Sequence, residues 1–196
     1  MPSPFDQLVH GSFGTILADP PWAFKVRSDK GRGRSAEAYY DTLSLDQIKD
    51  LPVADLAAKD CVLLMWVTDP FLANGEGERV IRSWGFEPKT VGFYWVKSDN
   101  WMGMGYWTRA NPEVCLLATR GHPKPQAHDV RRLIVSPRRA HSQKPEETYN
   151  RIERLCAGPY IELFARGKRE GWSSWGNETD SGPATRRWSS KGELAA

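Results

Sequence analysis

An apolar run that stops on a carboxylate and two prolines leaves this chain little choice about its first element: Thr15-Ile16-Leu17-Ala18-Asp19-Pro20-Pro21-Trp22. Gly14–Ala18 is apolar and β-prone and reads as a buried strand. Neither proline has an N–H to carry a ladder onward, so the strand ends at Asp19. Because X-Pro pairs are extended or turn-forming, one reading of Asp-Pro-Pro is a plain turn. The other reading is chemical. A carboxylate, a rigid carbonyl without a competing donor and an indole can together orient an exocyclic amine on a flat ring. The ring lies on Trp22, and Asp19 and the carbonyl accept the two amine hydrogens.

Composition narrows what surrounds this corner. At 196 residues, 40% hydrophobic and 26% charged, the chain suits one globular domain. We expect it to cover residues 1–178, with a small, polar, charged and disordered tail over 179–196. Nothing approaches the roughly 18 apolar residues of a membrane span, and Met1–Asp6 lacks the basic-then-apolar pattern of a secretory signal. Cys61, Cys115 and Cys156 have no metal-ligand spacing, so they are expected to be reduced core thiols of a cytoplasmic protein, with no metal site. The net charge is only +3, but Arg120, Lys124, Arg131, Arg132, Arg138, Arg139 and Lys144 stand against the single acid Asp129. Such a stretch is either a solvated surface or a seat for a phosphate backbone. Nine tryptophans, several beside Gly, Pro or Arg, add aromatic surface of the kind unstacked bases use.

Along the chain, residues 23–38 read as a basic loop centred on Lys30-Gly31-Arg32-Gly33-Arg34. Ser44 and Gln47 form a capping box that opens a short helix. Strands are expected at Cys61–Val67, Val91–Val96, Glu113–Ala118, Leu133–Val135, Tyr160–Ala165 and Trp172–Trp175. Helices are expected over Asp69–Trp84, weakened by Gly75 and Gly77, and from Pro145 to about Cys156, with Glu146 and Glu147 at its positive end. Asp99–Asn111 reads as a loop whose Trp101 and Trp107 suit binding. Strands alternating with helices argue for an α/β fold, a mostly parallel sheet with helices on both faces.

Three blocks then stand together: Asp19-Pro20-Pro21-Trp22; His141-Ser142-Gln143-Lys144-Pro145; and Ile161-Glu162-Leu163-Phe164-Ala165-Arg166 followed by Trp175-Gly176-Asn177-Glu178. In this order and spacing, over roughly Phe13–Glu178, the chain resembles the circularly permuted N6-adenine methyltransferases. That family includes the catalytic subunit of the eukaryotic mRNA adenosine methyltransferase and bacterial and phage adenine methylases. The resemblance implies a Rossmann-like fold of permuted motif order, using S-adenosylmethionine and carrying its catalytic block before its cofactor strand. It accords with the lack of a Gly-x-Gly-x-x-Gly after the first strand.

By the same resemblance Asp19, Pro20, Pro21 and Trp22 are catalytic. Asp19, Lys144, Phe164, Arg166, Asn177 and Glu178 hold the cofactor, Lys144 through its carboxylate and Asn177 and Glu178 through its ribose. Gly167–Gly171 is shorter than in the eukaryotic relatives. Tyr40, Trp95, Trp107 and Ser142 are candidates for the base pocket, and Arg32 and Arg34 for the nucleic-acid backbone. A core role for Tyr40 and a loop hydrogen bond for Ser142 stand as alternatives. Asp at the first tetrad position favours adenine, and the short architecture favours DNA over RNA and a bacterial or phage source. Pairing with a second copy or a related subunit is open. RNA or nucleotide methylation and a non-catalytic nucleic-acid-binding subunit are the competing functions. The reading requires Asp19 to be open to a ligand; an aspartate sealed in an ion pair inside the fold would overturn it.

Overall fold

A computed structural model of the chain describes residues 3–23, 43–99, 103, 105–139 and 143–176. The basic loop from residue 24 onward with Arg32 and Arg34, Tyr40, Ser142, Asn177, Glu178 and the expected tail lie outside the described residues.

Seven strands form one sheet: β1 (Phe13–Ala18), β2 (Ala57–Val67), β3 (Glu87–Lys97), β4 (Glu113–Arg120), β5 (Leu133–Ser136), β6 (Tyr160–Leu163) and β7 (Trp172–Trp175). Their order is β5-β3-β4-β2-β1-β6-β7, and β4 alone runs against its neighbours. This is the mostly parallel, Rossmann-like sheet expected. The helices are α1 (Leu45–Lys49), α2 (Asp69–Ala73), α3 (Glu76–Ser83) and α4 (Glu146–Leu155).

The central strands are apolar on both sides because both sides are covered. On one face Ile16, Ala18, Leu63 and Met65 share a core with Ile48 of α1 and with Val80 and Ile81 of α3. On the other, Leu17, Leu64, Trp66, Phe93, Trp95 and Cys115 pack with Ile152 of α4 and Trp172. Gly14 is a glycine because β1 runs close to the turn before β6. A β-carbon there would lie 2.8 Å from the carbonyl oxygens of Ala157 and Gly158. Thr15, fully buried, donates its hydroxyl to the Ala157 carbonyl at 2.7 Å.

Several expectations change. Strand β6 stops at Leu163, two residues short of the expected Ala165, because Phe164 leaves the extended conformation at φ +62. The single helix over Asp69–Trp84 is two helices, because Gly75 sits at φ +77 and ends α2 before α3 begins. Strands β2 and β3 begin four residues earlier than expected, at Ala57 and Glu87. Their first halves carry exposed Lys59, Asp60, Glu87, Lys89 and Thr90, so the ladder continues where the apolar signal does not. The Ser44–Gln47 capping box forms as expected, with both reciprocal hydrogen bonds made.

The topology positions the site. The chain leaves β1 toward β2, and later leaves β6 toward β7 on the opposite side. The direction of winding therefore reverses between β1 and β6, and open α/β sheets bind ligands outside the carboxyl ends of strands at such a point.

Candidate active site

Asp19 is the first residue beyond β1, and its N–H donates to the Leu163 carbonyl of β6 at 3.4 Å. Its carboxylate meets Lys144, the residue just before the Pro145 cap of α4, with Nζ 2.6 Å from Oδ2. The same ammonium lies 3.2 Å from Glu113 Oε2 at the start of β4, and Glu113 Oε1 is 2.9 Å from Lys97 Nζ at the end of β3. Four charges of alternating sign, Lys97, Glu113, Lys144 and Asp19, thus run along the carboxyl edge of the sheet.

Lys144 is only 7% exposed, and its ammonium sits 5.3 Å above the Trp66 ring. Burial alone would lower its pKa, but the Asp19 and Glu113 carboxylates outweigh that and raise it, so the lysine stays charged. Burial likewise pushes the Glu113 carboxyl upward, and the ammonium groups of Lys144 and Lys97 reverse this and hold it below its ordinary value. The pair is not fully enclosed: the Asp19 side chain is 18% exposed, against 7% for Lys144.

Around Asp19 the two prolines make a tight corner. The Trp22 N–H donates back to the Pro20 carbonyl at 2.8 Å, which leaves that oxygen one further lone pair. The Pro21 carbonyl accepts from Leu43 N–H at 3.1 Å. Trp22, expected to carry the flat ring, is instead buried in the core; its indole N–H donates to the Trp66 carbonyl at 3.2 Å and its ring stacks on Phe71 with centroids 4.9 Å apart.

The β6 side contributes a sharp turn. Phe164, just past the strand, is buried at φ +62, a left-handed conformation costly for a bulky side chain. Its ring packs edge-on against Trp175 at 5.4 Å, and Ala165 N–H donates to the Trp175 carbonyl at 3.0 Å. Gly176 lies so close that a β-carbon there would collide with the Ala165 carbonyl oxygen. On the strand itself Glu162 accepts from the Tyr149 hydroxyl at 2.9 Å. Burial, reinforced by the Asp19 charge and opposed by that hydrogen bond, lifts its pKa from 4.5 to about 7.

A profile of the MT-A70 family matches residues 13–178, the span that holds every element described above. The chain belongs to the MT-A70 family. It is 37% identical over 194 residues to the type II methyltransferase M.MunI of a Mycoplasma species, a match covering 89% of this chain and 81% of that one. It is 32% identical over 186 residues to the N(6)-adenosine-methyltransferase catalytic subunit METTL3 of Homo sapiens, covering 89% of this chain and 30% of that protein. A putative N(6)-adenosine-methyltransferase MT-A70-like protein of Medicago truncatula is 32% identical over 177 residues, with 86% and 26% covered. The chain thus spans most of the Mycoplasma relative and under a third of the two eukaryotic ones.

In this MT-A70 chain Asp19, Pro20, Pro21, Trp22, Lys144 and Phe164 come together at the β1–β6 edge. Arg166, half-buried two residues beyond Phe164, acts electrostatically on both Lys144 and Glu162. Trp95 is elsewhere: it is 2% exposed in the core under α4, with its N–H donated to the Ser136 carbonyl at 3.2 Å. Trp107 lies on an exposed turn rather than in a pocket. Glu113, Glu162, Tyr149 and Lys97 were not singled out in the sequence. Glu162 had a signal, a lone acid inside an apolar strand; Glu113 and Lys97 had none, because only strand pairing puts them beside Lys144.

The basic stretch from Arg120 to Lys144 does not form one surface. Arg120 pairs in register with Cys61, at the end of the sheet opposite the site, and donates to the Ala54 carbonyl. Lys124 lies in the loop that follows it. Arg138 and Arg139 reach the site edge and are paired with Asp99 and Glu146. Among the described residues no cluster of His, Cys, Asp and Glu could hold a metal, and no helix is long and apolar enough to cross a membrane.

Proposed function

We propose that this chain transfers a methyl group from S-adenosylmethionine to the N6 amine of adenine in nucleic acid, with DNA the favoured polymer. The observation that carries this reading is a partly exposed Asp19, beside the Pro20 carbonyl, bonded to a buried Lys144 where the winding of the sheet reverses. The residues present fit the cofactor. Lys144 is a buried cation suited to a carboxylate, and the buried Trp66 Nε1 beneath it has no hydrogen-bond partner among the described residues. Phe164 and Arg166 line the turn after β6, and Asn177 and Glu178, directly following Gly176, are proposed to hold the ribose. In this reading the catalytic strand β1 precedes the cofactor strand β6, the permuted order.

Bound there, S-adenosylmethionine supplies an electrophilic methyl on a sulfonium centre. The chain's own task is to make the amine a nucleophile. An adenine amine is poor in this respect because its lone pair is delocalised into the ring. Asp19 and the free lone pair of Pro20 accept its two hydrogens, which favours a pyramidal nitrogen and stabilises the positive charge that develops on it. Trp22, locked between Phe71 and the Trp66 carbonyl, braces the corner so that these acceptors do not have to reorganise. The amine proton leaves after transfer, so Asp19 need not be a strong base.

RNA is the competing substrate, because the human relative carries adenosine methylation in its name. A non-catalytic subunit is disfavoured by the intact Asp19-Pro20-Pro21-Trp22 and Lys144 set. Calorimetric titration with S-adenosylmethionine, followed by transfer of labelled methyl to matched DNA and RNA oligonucleotides in competition, tests the reading. Cofactor binding without transfer to any adenine-containing polymer would refute it; preferential labelling of RNA would retain the chemistry and reassign the polymer.

A further inference from the structure

The loop between β3 and β4 presents two aromatic rings to solvent in a way that the amine clamp does not use. Tyr106 is 79% exposed and Trp107 87%, with ring centroids 6.3 Å apart and edge-to-face. They occupy the tip of a turn from Gly105 to Thr108. The turn is so tight that a β-carbon on Gly105 would overlap the Thr108 carbonyl oxygen, so only glycine allows it. Gly103 N–H donates to the Ala110 carbonyl at 3.1 Å, and Arg109 reaches back to the Gly105 carbonyl at 3.4 Å. At the base, the Asn111 side chain accepts from the Lys97 N–H at 2.9 Å and donates to the Lys97 carbonyl at 3.0 Å. This imitates a ladder pair where the two strands part.

Two large apolar rings held out in water by a braced turn forgo burial that such rings normally gain in a fold. Their location narrows the partner. The stem residues Lys97 and Glu113 are the first two members of the charge chain that ends on Asp19, so the loop leaves the same edge of the sheet as the site. The neighbouring charges favour a polyanion. Arg109 lies two residues beyond Trp107, and the one acid of the loop, Asp99, is neutralised by Arg138. Flat rings beside cations suit a nucleobase that has lost its stacking partners.

We propose that Tyr106 and Trp107 form a stacking platform for an unpaired nucleotide flanking the target adenine, so that the substrate is engaged as single-stranded or locally opened nucleic acid. This rests on the reading of the site as an adenine-amine methyltransferase. A base drawn out of a helix leaves its neighbours unstacked, and a ring platform at the rim of the site would hold such a neighbour.

The test uses the full chain and a fluorescently labelled thymine oligodeoxynucleotide containing one adenine, read by anisotropy. An abasic residue is walked outward from the adenine one position at a time. Trp107→Ala is expected to weaken binding about tenfold, Trp107→Phe to restore most of it, and calorimetric affinity for S-adenosylmethionine to stay unchanged. In the parent chain one flanking abasic position should cost a similar factor, and in Trp107→Ala that position should cost nothing more. Unchanged affinity in Trp107→Ala overturns the platform, as does an abasic penalty indifferent to position or one that persists in the variant. A fall in sedimenting mass from dimer to monomer in Trp107→Ala also overturns it, assigning the rings to a second copy of the chain. Failure of the functional reading shows separately, as a parent chain that binds the oligonucleotide and methylates no adenine in any polymer.

Discussion

Lys144 answers to two carboxylates at once, and that arrangement sets the behaviour of its neighbours. Asp19 is shared between the lysine and the proposed amine, so Asp19→Asn keeps a polar group at the corner but loses the charge proposed to stabilise the transition state. The variant is expected to lose about a hundredfold or more in methyl-transfer rate, while calorimetry finds cofactor affinity changed by only a few fold. A parallel collapse of both would assign Asp19 to ligand binding alone. Glu162 makes a pH prediction of definite sign. Its folded pKa is raised from 4.5 to about 7, so the folded protein holds this proton over a range where the unfolded chain has released it. That contribution is complete below about pH 4.5 and is lost as the pH rises through about 7, up to a limit of about 3 kcal/mol. Chemical denaturation of the parent and Glu162→Gln across this window should show the parent losing stability relative to the variant as pH rises. Glu113, whose pKa is lowered, has the opposite sign: its contribution is present above its ordinary 4.5 and is lost as pH falls through the lowered value. Asp19 and Lys144 were each legible in the chain as candidates; their direct contact was not, since 125 residues separate them.

Among the elements, the break between α2 and α3 separates two kinds of glycine. Gly75 is at φ +77, and a β-carbon there would have nothing within 4 Å, so its role is purely conformational. Gly77 has ordinary helical backbone, but a β-carbon would lie 2.9 Å from Val67 Cγ1 of β2, so its role is packing. Gly75→Ala should therefore cost about 1–2 kcal/mol, and Gly75→Asn less, because asparagine tolerates the left-handed region. At Gly77 the order reverses: Ala costs about 1–3 kcal/mol by overpacking and Asn more. Thermal melts of the four variants, at about 2–4 °C per kcal/mol for a chain of this size, separate the two causes. Both glycines were visible as weak points of one helix, but a sequence does not tell a φ requirement from a contact. The capping box at Ser44 and the proline start of α4 were legible because their hydrogen bonds and dipole effects are local. The polar first halves of β2 and β3 were not, since what extends them is pairing with β4 and β1.

For the molecule as a whole, the sheet decides which charges can act together. The run from Arg120 to Lys144 looks like one basic patch in the chain, yet β4 carries its first residue to the far end of the sheet and β5 returns toward the site. Arg138→Ala should weaken oligonucleotide binding and reduce the slope of log affinity against log salt by about one phosphate contact. Lys124→Ala should leave both unchanged. Equal effects of the two would place the nucleic acid across the flank of the sheet rather than at its carboxyl edge.

The amino-acid sequence by itself determined the strand that must stop at Asp19, the starts of α1, α2 and α4, the α/β alternation and the blocks that mark an MT-A70 chain. Each of these follows from backbone chemistry or from residues near one another in the chain. Only the tertiary structure decided that Lys97, Glu113, Lys144 and Asp19 form one line of alternating charge, that Trp95 is core and Trp107 is surface, and that Phe164 turns left-handed. Those outcomes depend on strand order and register, which bring distant residues within a few ångströms and set the burial, and hence the charge state, of each.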